Sequence, residues 1–268
     1  MSLKKVAIIG AGTISQKIAE ELDQHLSHAY QLVGMMKNTD KNIAELRKRF
    51  NVPIVTNFEE IIRLKPDFII EAASVDVVKA YGKEILRKGI HFIPLSVGGL
   101  VDHKFYEELQ ILAKENNTVL YIPSGAIGGF DLMRKLTLAD SPVVTVNTYK
   151  SPESLKGVKL LNNKELALDR KEVIFDGSAE EAIKHFPQNI NIAIATALAT
   201  VGPDKVQTTI HSDPEIKANL HKIMIKNKEG KADISFAAQP SDNARTSSIT
   251  AWSVISLLQN ISDPVRFF

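Results

Sequence analysis

The chain has no cysteine. That absence excludes disulfides, iron–sulfur clusters, thiolate zinc sites and a cysteine nucleophile, and it fits an intracellular protein. An excess of one charge is also missing. Lys and Arg total 33 against 31 Asp and Glu, a formal net charge of +2, so there is no electrostatic footprint for nucleic acid or an anionic membrane. No stretch of about 18 uncharged apolar residues occurs, and a membrane-spanning helix is not expected. Met1-Ser2-Leu3-Lys4-Lys5 leads directly into a short apolar run with no secretory core, so the expected location is the cytoplasm. No His, Asp or Glu cluster has metal-ligand spacing, and no metal is expected. Gly-x-Ser-x-Gly is lacking too, which removes the commonest hydrolase signal on an α/β fold.

What is present is an ordinary globular balance, 44% hydrophobic and 24% charged over 268 residues, enough for one large or two small domains. Residues 1–140 alternate short apolar runs with amphipathic stretches. Val6–Ile9, Gln31–Met36, Pro53–Thr56, Asp67–Glu71, Ile90–Pro94 and Thr118–Ile122 read as strands. Helical patterns run from Thr13 to about Leu26, Lys41 to Phe50, Val75 to Lys88 and Phe105 to Lys114. Strands apolar on both faces and alternating with helices predict a doubly wound parallel sheet, a Rossmann-type α/β domain. After residue 140 the rhythm changes. Val143–Tyr149, Lys205–Ile210, Leu220–Ile225 and Ala232–Ala237 alternate apolar and polar residues, and helices are expected near Ala179–His185, Asn191–Ala199 and Thr246–Leu258. This predicts a smaller α+β domain over residues 141–245 with an antiparallel sheet. Residues 246–268 are expected to return to the first domain.

Gly10-Ala11-Gly12-Thr13-Ile14-Ser15 follows the first strand and opens the first helix, the context that gives a glycine turn meaning as a dinucleotide site. Gly10 permits the tight turn and Gly12 a close approach to a pyrophosphate. Thr13 and Ile14 bring the helix N-terminus to it. Ser15 stands where the fingerprint prefers Gly or Ala. The acid that would hold the adenosine ribose of NAD is missing at the end of the second strand, which reads Met36-Lys37-Asn38. Lys37 would attract a 2′-phosphate, so the expected cofactor is NAD or NADP, with NADP accepted. Glu71-Ala72-Ala73-Ser74, Leu95-Ser96-Val97-Gly98-Gly99 and Pro123-Ser124-Gly125-Ala126-Ile127-Gly128-Gly129 follow the fourth, fifth and sixth strands at the ligand edge of the sheet, where their small residues leave room for a flat cofactor.

The second half carries a more specific pattern. Phe175-Asp176-Gly177-Ser178-Ala179 runs on through Phe186-Pro187-Gln188-Asn189-Ile190-Asn191-Ile192-Ala193. Asp213-Pro214, Asn219-Leu220-His221 and Asn243-Ala244-Arg245-Thr246-Ser247 follow. With Pro123–Asp131, these stretches resemble the L-aspartate dehydrogenase family along nearly the whole chain. The resemblance implies a Rossmann domain, a smaller substrate and dimerisation domain, and a homodimer. It implies NAD(P)-dependent oxidative deamination of L-aspartate through iminoaspartate to oxaloacetate and ammonia. In some organisms that imine feeds quinolinate, and so pyridine nucleotide, synthesis. Matched position by position, the family's active-site histidine is His221, and its cofactor contacts are Ala126 and Asn191. The family's Asn-Pro-Lys-Thr-Ser is here Asn-Ala-Arg-Thr-Ser: Ala244 loosens the loop, and Arg245 keeps charge with a different donor geometry.

The chemistry asks for a proton-exchanging group, and a histidine has the right ordinary pKa of about 6.5. Among the seven histidines spacing alone does not privilege His221; the resemblance does. A dicarboxylate needs cationic and hydrogen-bonding partners. Arg245 offers a bidentate fork, Thr246 and Ser247 hydroxyls and helix N-terminal N–H groups, and Lys150 is a further candidate. Two other readings stay open on sequence: a different two-domain NAD(P) oxidoreductase acting on another small acid, and a cofactor-binding regulator without catalysis.

Overall fold

A computed structural model of the chain describes residues 2–39, 42–155, 166–187, 190–237 and 248–267. It divides into two compact units, Met1–Pro123 with Thr250–Phe268, and Ser124–Ile249.

The first unit is built on five parallel strands, β1 (Lys4–Ile9), β2 (Tyr30–Met36), β3 (Ile54–Val55), β4 (Phe68–Glu71) and β5 (His91–Pro94), in the order β3-β2-β1-β4-β5. Central strands in such a sheet are covered on both faces. Val6, Ala7, Ile8 and Ile9 are accordingly all buried, as are all four residues of β4. Each fully buried Val, Ile or Phe contributes about 1.5–3 kcal/mol, so these short runs anchor the fold. The chain reverses between strands through α1 (Thr13–Leu26), α2 (Ile43–Phe50), α3 (Phe58–Arg63), α4 (Val75–Arg87) and α5 (His103–Glu115). On α1, Ser15, Ile18, Ala19, Leu22 and Leu26 form the inward stripe, the spacing of one helix face. Asn57, Ser74 and Asp102 accept hydrogen bonds from Glu60, Val77 and Phe105 backbone N–H groups and cap α3, α4 and α5.

Thr118–Ile122, expected as a sixth strand, forms only a single parallel bridge between Leu120 and Phe92. Asn117 before it is left-handed (φ 54°) and Pro123 after it has no N–H with which to extend a ladder. The last helix, α9 (Ile249–Ser262), places Ala251, Val254, Ile255 and Leu258 in the same core as Val6, Ile8, Leu22 and Tyr30. The Tyr30 hydroxyl donates to the Leu258 carbonyl at 2.8 Å. Burial pushes that phenol up to about 12. Tyr30→Phe is expected to lower stability by about 1 kcal/mol, the net worth of one buried hydrogen bond, measurable as a lower urea midpoint with an unchanged slope.

The second unit has five strands, β6 (Val143–Lys150), β7 (Glu172–Ser178), β8 (Gln207–Ser212), β9 (Leu220–Asn227) and β10 (Gly230–Ala237), in the order β10-β9-β6-β8-β7. The sheet is mixed, not antiparallel as expected: β6 pairs parallel to β8, while the other neighbours run antiparallel. The long excursion through β7, α7 (Ala179–His185) and α8 (Asn191–Ala199) between β6 and β8 allows that parallel return. Strand β7 was not expected. Its register shifts between Val173 and Phe175, and such a bulge breaks the alternation that marks a strand. Helix α6 (Phe130–Ala139) precedes β6. Along β6 every second residue, Val144, Val146, Thr148 and Lys150, is buried, so one face of this sheet is covered along its length.

Candidate active site

In the first unit the loop after β1 is shaped by Gly10, whose φ of 123° suits glycine. A Cβ there would lie 2.4 Å from the Ala72 carbonyl oxygen, and at Gly12 it would meet nothing within 4 Å. The turn is therefore tight against β4 on one side and open on the other. Helix α1 starts at Thr13 with no side-chain cap and no acid in its first turn, and its first helical bond runs from Gln16 N–H to the Gly12 carbonyl at 3.0 Å. The N–H groups of Thr13 and Ile14 precede that bond, at the positive end of the dipole. An open cradle lined by backbone donors and free of carboxylates fits a pyrophosphate. Ser15 is fully buried and its hydroxyl donates to the Ala72 carbonyl at 3.2 Å. It fills the fingerprint's third small position with a bond across to the end of β4.

Ala73 and Ser96, expected at the ligand edge, are fixed by a residue that sequence reading did not single out. Glu71 is wholly buried, and its carboxylate accepts from the N–H groups of Ala73 (2.7 Å), Ser74 (2.8 Å) and Ser96 (3.0 Å), and from the Ser96 hydroxyl (2.9 Å). Burial raises its pKa while these donors oppose the rise. One carboxylate thus ties together the loops after β4 and β5. The available signal was an acid closing an otherwise apolar buried strand, where only loop N–H groups can satisfy it. Lys37 follows β2 and lines a cavity of about 160 Å³ with Ala11, Gln16, Asn42, Glu45, Leu46 and Arg49, two cations to one carboxylate. Arg49 donates to Gln16 at 2.7 Å and pairs with Glu20.

In the second unit His221 lies on β9 directly opposite Thr148 of β6, and it is only 5% exposed. The Thr148 hydroxyl and His221 Nδ1 are 3.1 Å apart. That bond occupies Nδ1, and among the described residues Nε2 has no partner. Lys150, two residues beyond Thr148 on the same face, is 3% exposed and donates from Nζ to Asn219 Oδ1 at 3.4 Å. Burial, then the charge of Lys150, press the His221 imidazole down to about 3, and burial brings Lys150 down to about 8. The imidazole is therefore neutral near pH 7, and the ordinary histidine value assumed from sequence does not hold at this position. Ala126 lies in the turn between Ser124 and Ile127, closed by an Ile127 N–H to Ser124 carbonyl bond of 3.3 Å, and Asn191 is the first residue of α8. Arg245, Thr246 and Ser247 lie outside the described residues. Among the described residues no group of three or more His, Asp or Glu is disposed to hold a metal ion, and no helix is long and apolar enough to cross a membrane.

Comparison with known proteins follows the same division. Residues 131–261 match the family model described as aspartate dehydrogenase, C-terminal, and residues 10–123 match that of the homoserine dehydrogenase NAD-binding domain. An L-aspartate dehydrogenase of Methanosarcina barkeri is 32% identical over 269 residues, covering 98% of each chain. That of Methanocaldococcus jannaschii is 31% identical over 265 residues, with the same coverage. The chain belongs to the L-aspartate dehydrogenase family. Among solved structures, the family's aspartate dehydrogenase from Thermotoga maritima superimposes with a TM-score of 0.78 at 29% identity, covering all of both chains. A hyperthermophilic archaeal homoserine dehydrogenase, in complex with NADPH, gives 0.60 at 14% identity with 98% of this chain and 99% of that one covered, a likeness of fold alone. The NAD-binding domain and the dehydrogenase relatives make NAD or NADP the cofactor of this family member, in agreement with the cradle at Gly10–Ile14.

Proposed function

We propose that the protein catalyses the reversible oxidative deamination of L-aspartate, in which L-aspartate, water and NAD(P)⁺ give oxaloacetate, ammonium, NAD(P)H and a proton. The observation that carries this reading is the end-to-end match to L-aspartate dehydrogenases, covering 98% of this chain and of its relatives. Gly10, Gly12, Thr13 and Ile14 would hold the pyrophosphate, with Ala73 and Ser96 at the same sheet edge of the first unit, and Ala126 and Asn191 are the further cofactor contacts that the family resemblance implies. A nicotinamide cofactor bound there would supply the hydride acceptor, and the protein's own task is to place the substrate and take up the protons it loses. His221 is neutral and tethered at Nδ1 by Thr148. Its Nε2 takes the proton released as the substrate amine is made neutral and passes it to solvent; later it takes the proton lost as water adds to iminoaspartate and returns it to the leaving nitrogen, so that ammonium departs with one net proton released. A dicarboxylate arriving beside Lys150 offsets the positive charge that depresses His221 and so raises its basicity when a base is required. Arg245, Thr246 and Ser247 bind substrate carboxylate, as their chemistry and the family segment suggest.

A homodimer in the cytoplasm completes the reading. Support for the dimer comes from two exposed apolar side chains on the second sheet, Val143 and Val173, which are 64% and 51% exposed. The cytoplasm is where amino acids and nicotinamide cofactors are both supplied. The test is absorbance at the reduced-nicotinamide band, with NAD or NADP and a panel of amino acids at alkaline pH. L-Aspartate should be oxidised and the other amino acids not. Oxidation of another acid in its place, or of none, overturns the assignment.

Lys37 makes NADP acceptable, since a lysine at the end of β2 attracts the 2′-phosphate that an acid there would repel. Lys37→Asp is expected to shift the NADP-to-NAD ratio of dissociation constants about 10–100-fold toward NAD, the scale of exchanging a charge-assisted contact for a repulsion. Fluorescence titration of both cofactors measures this, and an unchanged ratio removes Lys37 from cofactor choice.

A further inference from the structure

The geometry points to Lys150 as the residue that anchors one carboxylate of the dicarboxylate substrate, an assignment that rests on the reading above and names a contact within the same site. An ammonium group taken out of water costs several kcal/mol unless an anion or good acceptors compensate. Lys150 is only 3% exposed, and among the described residues no carboxylate lies within ion-pair distance of it. Its hydrogen bond is to a neutral acceptor, Asn219 Oδ1, at a long 3.4 Å. Glu172 stands in the same row, opposite Ser212, which pairs with Lys150 across β6 and β8, and its carboxylate accepts from the Ala167 N–H at 2.8 Å. Asp213 follows Ser212. It turns elsewhere: its side chain accepts from the Glu215 N–H at 3.1 Å and reaches Lys171 at 3.7 Å. The Asp213 contact with Lys150 is made by backbone, its N–H donating to the Lys150 carbonyl at 2.8 Å.

Two neighbours on the same covered face strengthen the case. The Ser212 hydroxyl is fully buried and among the described residues has no hydrogen-bond partner, so beside the buried cation stands a buried hydroxyl unmet by them. His221 lies across from Thr148, and Lys150 is close enough for its charge to weaken the imidazole. A cation, a hydroxyl and a neutral imidazole gathered on one strip of sheet suit an anionic substrate with a proton to lose. The depressed pKa of Lys150, about 8, agrees with a cation awaiting its counter-ion. The side chain has the reach and charge to hold a carboxylate as a point contact, leaving bidentate recognition to a guanidinium.

The test uses the cofactor-saturated protein and two probes of equal chain length, succinate and butyrate, titrated calorimetrically into wild type, Lys150→Met and Lys150→Gln. Wild type should bind succinate more tightly than butyrate. Both variants should lose about 100-fold in succinate affinity, the scale of a lost charged hydrogen bond, with cofactor affinity unchanged. In the aspartate assay the variants should raise KM by a similar factor, with kcat falling less than about 10-fold. If one variant fails to fold, the other and the wild-type comparison decide. No preference for succinate in wild type overturns the anchor, as does a variant that keeps the preference or loses kcat with KM unchanged. Failure of the two readings is separable. If wild type does not oxidise aspartate yet discriminates the probes through Lys150, the proposed reaction falls and the anchor stands. If aspartate is oxidised and the discrimination survives without Lys150, the anchor falls alone.

Discussion

Replacing His221 by alanine is expected to lower turnover with L-aspartate by about 10²–10⁴-fold, the usual contribution of a positioned acid–base group. Cofactor affinity should stay within about twofold of wild type, because His221 is not among the residues assigned to the cofactor, Gly10–Ile14, Ala73, Ser96, Ala126 and Asn191. His221→Asn, which keeps a polar group but cannot exchange a proton near neutrality, should be as slow as alanine. The imidazole also has a signature outside kinetics. In the fold its pKa is depressed to about 3, below the ordinary histidine value of about 6.5. The unfolded chain therefore binds this proton more readily than the native one. The resulting stability is fully present above about pH 6.5 and is lost as pH falls toward 3. Removing the ring should flatten that part of the acid-denaturation profile. Wild-type turnover in either variant would end the acid–base role, and an unchanged acid profile would mean the ring is not buried as described.

The sequence reading went furthest where one strand or helix decides the outcome by itself. Val6–Ile9 and Phe68–Glu71 are apolar on both sides because both sheet faces are covered, and that requirement is written into consecutive residues. Helix α1 starts and ends where the glycine turn and its apolar stripe place it. Features that depend on pairing were not visible. Thr148 and His221 are 73 positions apart, and only the antiparallel register of β6 with β9 sets the hydroxyl against Nδ1. The four bonds to Glu71 come from two loops whose approach depends on β4 pairing with β5. Strand β7 was hidden by its bulge, and the parallel return of β8 by the length of chain leading to it.

The same contrast explains His221. Resemblance singled out the residue, whereas composition and spacing left it level with the other histidines. Its chemistry follows from its surroundings: burial keeps the ring neutral, Thr148 fixes one nitrogen, and the charge of Lys150 sets how far its basicity falls. These influences come from two strands, and none is carried by the tripeptide Asn219-Leu220-His221 alone.

Gly10→Ala and Gly12→Ala are expected to fail in different ways, and the difference tests the cradle. At Gly10 a methyl group would sit 2.4 Å from the Ala72 carbonyl oxygen and 2.8 Å from Ser15 Oγ, on a backbone whose φ is 123°. An L side chain is strained there, and the Ala72 backbone must move to admit it. The combined cost is roughly 2–4 kcal/mol, seen as a large fall in the thermal midpoint without cofactor. Because Ala72 leads into the loop held by Glu71, that movement should also weaken NAD(P) binding at least about 10-fold. At Gly12 the backbone is ordinary, with φ of −78°, and a methyl group would meet nothing within 4 Å. Stability without cofactor should therefore change by less than about 0.5 kcal/mol. Cofactor affinity should still fall by about 10-fold or more, since the methyl enters the space that lets a pyrophosphate reach the α1 N-terminus. Scanning calorimetry of the empty protein beside cofactor titration separates the two effects. If Gly12→Ala binds NAD(P) as wild type does, the open side of the turn is not where the pyrophosphate lies. If Gly10→Ala is as stable as wild type, the tight packing of that turn against Ala72 is wrong.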